Sequence, residues 1–382
     1  MKSMKANART TKIGRRDFIK LGAAASAVGA TTMTALNVRE ASASEQTDVK
    51  SAEPWAVPQK PTARPISIDC HCHWAPERYL KAIAAAGDKR PFDAVNYDMG
   101  KRIEWMDMRG VQTLALSLNG GMPWGMVKPD EGVRIAQIVN DEALEAHKAH
   151  PDRFITSIEV FAADPNLALK ELNRMAGKPG MRAVHLPNSI ASRDYLFEPS
   201  YVPFLARIEE LGYPILFHPL DEEANYYGGK ARLADHFSDV GGYSNTLGFT
   251  FETATTAAKF IVSGTLDRFP KLEIVLPHSG GCFPYIFGRI DHGLAIRTVK
   301  LQRPYMDYVR RFHYDSLTYN PDILRFLINF VGSDRVVIGT DNGFGANGQA
   351  IEYPHSLVDQ LNLPAADRER ILRGNAAKLF HL

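Results

Sequence analysis

The stretch Ile68-Asp69-Cys70-His71-Cys72-His73 closes a short apolar run and places two histidines two residues apart. Side chains of a β-strand alternate between its two faces, so we expect His71 and His73 on one face and Cys70 and Cys72 on the other. Two imidazoles on one face can bind a single divalent cation. His-x-His alone is a weak signal, so its meaning depends on what stands at the other strand ends.

Similar runs of β-branched or apolar residues recur along the chain and predict eight strands. They are Pro65–Asp69, Gln112–Leu118, Phe154–Val160, Met181–Leu186, Pro214–Phe217, Leu272–Pro277, Phe312–Leu317 and Arg335–Thr340. The stretches between them have the apolar spacing of amphipathic helices. Examples are Lys101–Arg109, Gly132–His147, Leu167–Ala176, Val202–Leu211, Glu252–Ser263 and Pro321–Phe330. This alternation predicts an α/β fold, a (β/α)₈ TIM barrel, with a doubly wound open sheet as the alternative.

Three later strands also end at side chains that can bind a metal. His218, His278 and Asp341 stand at the ends of the fifth, sixth and eighth predicted strands. In a barrel all of these ends meet at one rim, so we expect them near His71 and His73. Three neutral imidazoles with one carboxylate suit Zn²⁺ or Mn²⁺. At each single position, the alternative is a side chain that only satisfies local hydrogen bonds.

Composition excludes several classes of protein. The chain has 382 residues, with 45 Lys and Arg against 43 Asp and Glu, 45% hydrophobic residues and 3 cysteines. Disordered, collagen-like and disulfide-rich chains have different compositions. The near balance of charge gives no electrostatic basis for a nucleic-acid partner. The length suits one large barrel.

The N-terminal segment differs from the rest of the chain and predicts export. Residues 14–20 contain two adjacent arginines, residues 21–36 are weakly hydrophobic, and Ala41-Ser42-Ala43 has the small-x-small pattern of a cleavage site. The segment resembles a twin-arginine signal, an address for export of folded proteins across the bacterial inner membrane. The hydrophobic part is too short and too rich in Gly and Thr for a stable membrane anchor. The alternatives are a disordered basic tail and an uncleaved anchor.

We therefore divide the chain into three parts. Residues 1–43 are expected to be a twin-arginine signal peptide, residues 44–64 a proline-containing linker, and residues 65–382 the catalytic domain of a periplasmic protein. Two long connections, 74–100 and 221–251, leave the carboxyl ends of the first and fifth strands. Both are candidate walls of a substrate site.

The chain resembles the second amidohydrolase family, and within it the aminocarboxymuconate-semialdehyde decarboxylase type. Besides the opening stretch, the matching motifs are Arg102–Asp107 with Gly110-Val111, Phe217-His218-Pro219, Phe269–Leu272, His278–Tyr285 with Gly288-Arg289-Ile290, Tyr314-Asp315, Gly339-Thr340-Asp341 and Gly374-Asn375-Ala376. The block from His278 to Arg289 is the most specific of them. The resemblance extends from Ile68 to Phe380 and implies a metal-dependent (β/α)₈ barrel.

The resemblance also implies a role for individual residues. One divalent metal, zinc in the first place and manganese as the alternative, is expected on four ligands, which are His71, His73, His218 and Asp341. His278 is implied as the general acid/base and Asp315 as a supporting carboxylate. Arg102 and Arg289 are implied as carboxylate-binding arginines, and the second of them reaches the site of a neighbouring subunit. A homodimer is therefore expected.

These roles are chemically consistent with decarboxylation. A divalent ion lowers the pKa of bound water, an imidazole titrates near neutrality, and an arginine holds a carboxylate at two points. We expect a metal-dependent decarboxylase whose substrate is a small carboxylated aromatic or unsaturated acid. The alternatives are a hydrolase or hydratase of the same fold and a non-catalytic exported binding protein. Leu220 stands where the decarboxylase type usually has Trp, so we expect a different substrate.

Overall fold

The computed structural model describes residues 66–87, 94–118, 123–125, 127–191, 193–220, 244–296, 300–343 and 355–382. The expected signal peptide (1–43) and linker (44–64) lie outside these residues, as does most of the connection 221–251. Within the described ranges, no helix combines the length and apolar character needed to cross a lipid bilayer.

Eight parallel strands form one sheet in chain order, which confirms the predicted strands. They are β1 Ser67–Trp74, β2 Val111–Leu118, β3 Phe154–Glu159, β4 Met181–Pro187, β5 Ile215–His218, β6 Ile274–Leu276, β7 Phe312–Asp315 and β8 Val336–Val337. Each strand pairs with the next through a crossover that contains at least one helix. The strands are rich in aliphatic residues because both faces of such a sheet are covered.

The first and last strands meet and close the sheet. Asp69 pairs with Ile338 and Cys72 with Asn342, both in parallel orientation. The backbone N–H of His73 donates to the carbonyl of Asn342 at 2.6 Å. We call this pairing the seam. It makes the fold a (β/α)₈ barrel rather than an open sheet.

Helices cover the outside of the barrel. They are α1 Glu77–Ala85, α2 Ala94–Tyr97, α3 Met99–Arg109, α4 Pro129–Ala149, α5 Pro165–Met175, α6 Val202–Leu211, α7 Phe249–Val262, α8 Thr265–Arg268, α9 Phe283–Ile296, α10 Tyr305–Val309, α11 Pro321–Val331, α12 His355–Gln360, α13 Ala365–Glu369 and α14 Asn375–Leu379. Short 3₁₀ turns lie at Tyr195–Phe197, Pro199–Tyr201, His278–Gly280 and Ser333–Arg335, and π turns at Ser244–Gly248 and Arg370–Gly374. The six helical stretches expected from the sequence are helical over most of their length.

The hydrophobic core has two layers. The larger layer lies between strands and helices. The smaller one fills the barrel with apolar side chains from seven strands, which are Ile68, Cys70, Ala115, Ile155, Ala183, Leu216, Val275 and Val337. The expected orientation of Cys70 is therefore wrong, since it faces the interior and borders one small cavity together with His71 and His73. The cause is a shift of register in β1 between Asp69 and Cys72, which breaks the alternation of faces.

Candidate metal centre

The carboxyl ends of the strands bring four expected side chains together. His71 and His73 come from β1, His218 ends β5, and Asp341 follows β8. One potential ligand atom from each of them lies within 4.8 Å of the others, and all four residues are buried. The Nε2 atoms of His71 and His73 are 3.4 and 2.9 Å from Oδ1 of Asp341. The cluster has the composition expected from the sequence.

Hydrogen bonds orient the three imidazole rings in the same way. Nδ1 of His73 donates to the carbonyl of Leu118 at 3.1 Å, and Nδ1 of His218 donates to that of Pro219 at 2.7 Å. A carbonyl oxygen can only accept, so both rings carry the proton on Nδ1 and have a lone pair on Nε2. Nε2 of His218 is buried and has no hydrogen-bond partner among the described residues. Such an atom fits a metal ligand, and three imidazoles with one carboxylate suit a divalent transition metal.

The third ring, that of His71, is held by a charged partner. Its Nδ1 lies 2.6 Å from Oδ2 of Asp315, a carboxylate with no exposed surface. Gly339 lies between these two side chains, where an added Cβ would be 2.9 Å from the Cβ of His71 and 2.7 Å from that of Asp315. The glycine of Gly339-Thr340-Asp341 is therefore required by close packing.

Buried charges set the protonation of the cluster. Burial alone would lower the pKa of His71, but Asp341 and Asp315 raise it to about 10. Burial lowers the pKa of His73 and of His218, which keeps both rings neutral. Burial opposes ionisation of Asp341, yet the neighbouring His71 holds the pKa of that carboxyl well below its usual range. Two neutral rings and an ionised carboxylate therefore face one point, and the proton that His71 carries without a metal would be released when a cation binds there.

His278 lies next to this cluster, at the end of β6. Its ring centroid is 5.1 Å from that of His71, and its Nε2 is 3.9 Å from Oδ2 of Asp341. Its backbone N–H donates to Oδ2 of Asp315 at 2.8 Å, so one carboxylate positions both His71 and His278. Burial, and then the charge of His71, lowers the pKa of His278 to about 4. A neutral imidazole beside a metal cluster can accept and return a proton.

A cavity of about 550 Å³ opens above these side chains. His218, His278 and Asp341 form its floor, while Phe249 and Leu327 contribute to a largely apolar wall. Its size is in the range of sites that hold small organic molecules. The metal cluster and the general acid/base candidate are therefore accessible to a small substrate.

Arg102 is not among the described residues that line this cavity. Asp98 caps α3 by accepting from the backbone N–H of Lys101, and the helix buries Arg102 completely. Nη2 of Arg102 donates to the carbonyl of His73 at 2.6 Å, and Nη1 donates to Oδ1 of Asn342 at 3.3 Å. These contacts support the seam behind the metal cluster. Substrate binding by Arg102 stays a prediction.

Arg289 is exposed on α9, one helical turn after Tyr285, which lines the cavity. Residues four apart lie on the same face of a helix. Arg289 is not among the described residues that line the cavity of its own chain. Its predicted role in a neighbouring subunit is compatible with this exposed position and stays a prediction.

One buried carboxylate was not anticipated from the sequence. Oε1 of Glu159, in β3, accepts from Nδ1 of His185 at 2.8 Å and from the backbone N–H of Leu118 at 2.9 Å. The carbonyl of Leu118 in turn accepts from His73. Glu159 thus fixes the peptide that orients His73, one of the expected metal ligands. The available signal was a charged residue at the end of an otherwise uncharged strand.

Comparison with known proteins agrees with this geometry. A family model described as amidohydrolase matches residues 68–382. The chain belongs to the amidohydrolase family. One relative, the gamma-resorcylate decarboxylase of Rhizobium sp. (strain MTP-10005), is 31% identical over 74% of this chain and 86% of its own length. The 2-amino-3-carboxymuconate-6-semialdehyde decarboxylase of Dictyostelium discoideum is 27% identical over 83% of this chain and 85% of its own.

A solved structure shows the same likeness for this amidohydrolase. It is a dihydroxybenzoic acid decarboxylase from Polaromonas sp. JS666, crystallised with manganese and the inhibitor 2-nitroresorcinol. The two chains are 27% identical, with a TM-score of 0.70 over 83% of this chain and 97% of the other. The resemblance stated from sequence motifs is thereby confirmed.

Proposed function

We propose that this protein is a metal-dependent decarboxylase of a carboxylated aromatic or unsaturated acid. The observation that carries the proposal is the cluster of His71, His73, His218 and Asp341, with His278 beside it, on the floor of an apolar cavity. The relatives named above are decarboxylases of such acids. An aromatic acid fits both parts of the site, since its ring suits the wall and its carboxylate suits a cationic floor.

The chain's own residues account for the steps of the reaction. The ring centroids of Phe249 and His278 are 6.1 Å apart, and the planes of the two rings differ by 30°. The ring of Phe249 offers a flat surface to a substrate ring. A bound divalent cation supplies Lewis acidity at the floor, where negative charge develops. When the carbon–carbon bond breaks, carbon dioxide leaves and the electron pair stays on the ring carbon. The neutral ring of His278 first takes up a proton from solvent, and its imidazolium form then delivers a proton from Nε2 to that carbon and returns to the neutral ring.

The metal is proposed to be a single divalent cation. The nitrogen-rich ligand set favours zinc, while the manganese of the Polaromonas relative supports the alternative. Elemental analysis of the purified protein identifies the metal. Reconstitution of the chelated protein with Zn²⁺ or Mn²⁺ then shows which ion restores turnover.

A homodimer is proposed on the basis of one exposed surface. Tyr285 and Ile286 of α9 and Ile323 and Phe326 of α11 are all at least one-third exposed, and Arg289 is close by on α9. Exposed apolar side chains of this kind are typical of association sites. If Arg289 serves the neighbouring site, inactive His278→Ala and Arg289→Ala chains should recover about a quarter of wild-type activity when mixed, because half of the dimers then hold one intact site. No recovery in mixed dimers contradicts this role.

Export to the periplasm is proposed from the leader alone. The adjacent Arg15 and Arg16 and the site Ala41-Ser42-Ala43 support it. Replacing both arginines by lysine should retain the protein in the cytoplasm, measured by cell fractionation. Unchanged periplasmic recovery contradicts the twin-arginine route.

The experiment that tests the function distinguishes release of carbon dioxide from addition of water to the substrate. Metal-loaded protein is incubated with carboxylated aromatic acids, 2,6-dihydroxybenzoate first, while carbon dioxide release and ¹⁸O incorporation from water are measured. We expect carbon dioxide without ¹⁸O in the organic product. Incorporation of ¹⁸O without carbon dioxide supports a hydrolase or hydratase, and the absence of metal and turnover supports a binding protein.

Two variants assign the roles within the site. His278→Ala should keep its metal and lose at least about 100-fold in turnover, as removal of a general acid/base does. His73→Ala should lose the metal, measured by elemental analysis. His292→Ala, on the exposed side of α9, is the matched control and should change neither. Full metal retention by His73→Ala contradicts the ligand assignment.

A further inference from the structure

The first residue of α7, Phe249, forms part of the cavity wall beside two imidazoles of the floor. Its ring centroid is 5.7 Å from that of His218 and 6.1 Å from that of His278. A ring in this position faces any small molecule that occupies the cavity, so a shift of α7 would change the shape of the site. The placement of α7 therefore helps to define the binding site.

The start of α7 is not fixed by a capping side chain. Gly248 occupies the N-cap position and has no side chain that could accept from the first backbone N–H groups. Contacts with other elements must therefore fix this end. One of them comes from the loop after β6, where the backbone N–H of Cys282 donates to the carbonyl of Thr250 at 3.4 Å. Gly281 permits this close approach, because a Cβ there would lie 2.2 Å from the same carbonyl oxygen.

Two further contacts come from the segment that follows β4. The Ser189 hydroxyl donates to Oε1 of Glu252, and both side chains are buried. Nδ2 of Asn188 donates to Oγ1 of Thr256 at 3.0 Å. Glu252 and Thr256 lie three and seven positions after Phe249, so the three residues share one face of the helix. The same face therefore carries the cavity wall and its two anchors.

The polar character of these anchors indicates what they do. A buried carboxylate is an inefficient way to stabilise a contact, because an apolar pair of similar size avoids the cost of removing a carboxylate from water. A hydrogen bond differs from an apolar contact in that it fixes both distance and direction. The anchoring segment is itself held at the metal site, since the backbone N–H of Asn188 donates to the carbonyl of His218 at 3.3 Å. Ser189 and Glu252 therefore suit a role in which the placement of α7 matters more than its stability.

We propose that Ser189 is a positioning residue, which through Glu252 holds Phe249 where it packs against the ring of a bound acid. Ser189 is not among the described residues that line the cavity, so it acts through the helix and not by contact with the substrate. This proposal rests on the proposed function, because it places an acid with a ring in the cavity. It goes beyond that function by assigning a role to the segment after β4, which contains none of the four proposed metal ligands. The expected consequence is energetic coupling between Ser189 and Phe249.

A double-mutant cycle on the metal-loaded protein tests this coupling. Dissociation constants for 2,6-dihydroxybenzoate are measured by calorimetry. Phe249→Ala should weaken binding about tenfold through loss of the aromatic contact. Ser189→Ala should weaken it about three- to tenfold, because the ring is no longer held in place. The double variant should bind within about twofold of Phe249→Ala alone, since a ring that is absent cannot be misplaced, whereas independent effects would multiply.

Two other variants control for folding and for general changes in α7. Thr255→Ala is the matched control, because the Thr255 hydroxyl bonds the carbonyl of Phe251 within the same helix. It should change the affinity less than about twofold, alone or combined with Phe249→Ala. Thr256→Val removes the second anchor with little change of shape, so it should reproduce the coupled loss even where Ser189→Ala does not fold. Metal content and thermal unfolding are measured for every variant.

The outcomes separate this proposal from the proposed function. Multiplicative losses in the double variants, unchanged affinity in Phe249→Ala or in both anchor variants, or no binding of the acid to the wild-type holoprotein overturns the role of Ser189. Carbon dioxide release is measured in parallel. Coupled binding without carbon dioxide refutes decarboxylation and leaves the positioning role intact, and carbon dioxide release with multiplicative losses does the reverse.

Discussion

Replacing Asp315 by Asn should damage both the fold and the metal centre. Oδ2 of Asp315 accepts from Nδ1 of His71 at 2.6 Å and from the backbone N–H of His278 at 2.8 Å. Oδ1 accepts from the N–H groups of Ser279 at 2.7 Å and Leu317 at 3.1 Å. An amide has one oxygen, so its NH₂ group faces two of these four donors in either orientation.

The size of the effect follows from that count. A hydrogen bond to a charged group contributes about 1.5–3 kcal/mol, so two lost bonds cost about 3–6 kcal/mol. A small protein domain is stable by only about 5–15 kcal/mol. Loss of the carboxylate that orients a metal-binding imidazole should also weaken metal affinity by about 10–100-fold. The loss of stability and the loss of metal affinity therefore have the same cause, the replacement of one carboxylate oxygen of Asp315 by an NH₂ group.

Two measurements separate these effects. Urea unfolding in the presence of a chelator gives the stability of the metal-free protein, and competition with a chromophoric chelator gives the metal affinity. Asp322→Asn is the control, because Asp322 is exposed in the first turn of α11 and contributes at most about 1 kcal/mol. The reasoning is refuted if Asp315→Asn stays within about 1 kcal/mol of wild type and binds metal equally well.

Three further substitutions test other parts of the structure. Glu159→Ala removes the acceptor that fixes the Leu118 peptide, so metal affinity should fall about tenfold or more, measured by chelator competition; unchanged affinity would show that this peptide is held otherwise. Arg102→Lys cannot bridge both partners of the guanidinium, so metal retention should fall while KM at saturating metal stays constant; a raised KM with normal metal content would instead support carboxylate binding. His355 is 3% exposed, and burial lowers its pKa to about 4, below the 6.5 of an unfolded chain. The unfolded state then binds the extra proton, so stability is lost as pH falls from about 6.5 to 4, by up to about 3 kcal/mol. His355→Gln should flatten this loss in unfolding curves taken at several pH values, and an identical slope would contradict the buried neutral state.

The sequence predicted the metal cluster because one topological rule suffices for it. Strand ends in a parallel barrel meet at one rim, so His71, His218 and Asp341 could be grouped without knowledge of side-chain packing. The strands themselves were recognisable because they are short apolar runs between helices. Family motifs then separated the expected ligands from His278.

Residues that depend on non-local packing were harder to assign. Cys70 was placed on the wrong face because a register shift in β1 depends on pairing with β2 and β8. Arg102 lies on an amphipathic helix, and nothing in the neighbouring sequence indicates that its guanidinium donates a hydrogen bond to the carbonyl of His73. Glu159 acts through a peptide of the neighbouring strand, a contact between residues 41 positions apart. Such pairings become visible only in three dimensions.

The seam has a consequence for when the metal can be acquired. The backbone N–H of Asp341 donates to the carbonyl of His71 at 2.7 Å, so the only carboxylate of the four-residue cluster arrives with the pairing of the first and last strands. A chain still being synthesised carries the imidazoles long before residue 341 exists. Under the proposed function, metal loading is therefore expected only of a chain that has closed its barrel, and a truncated or nicked chain should not retain the ion.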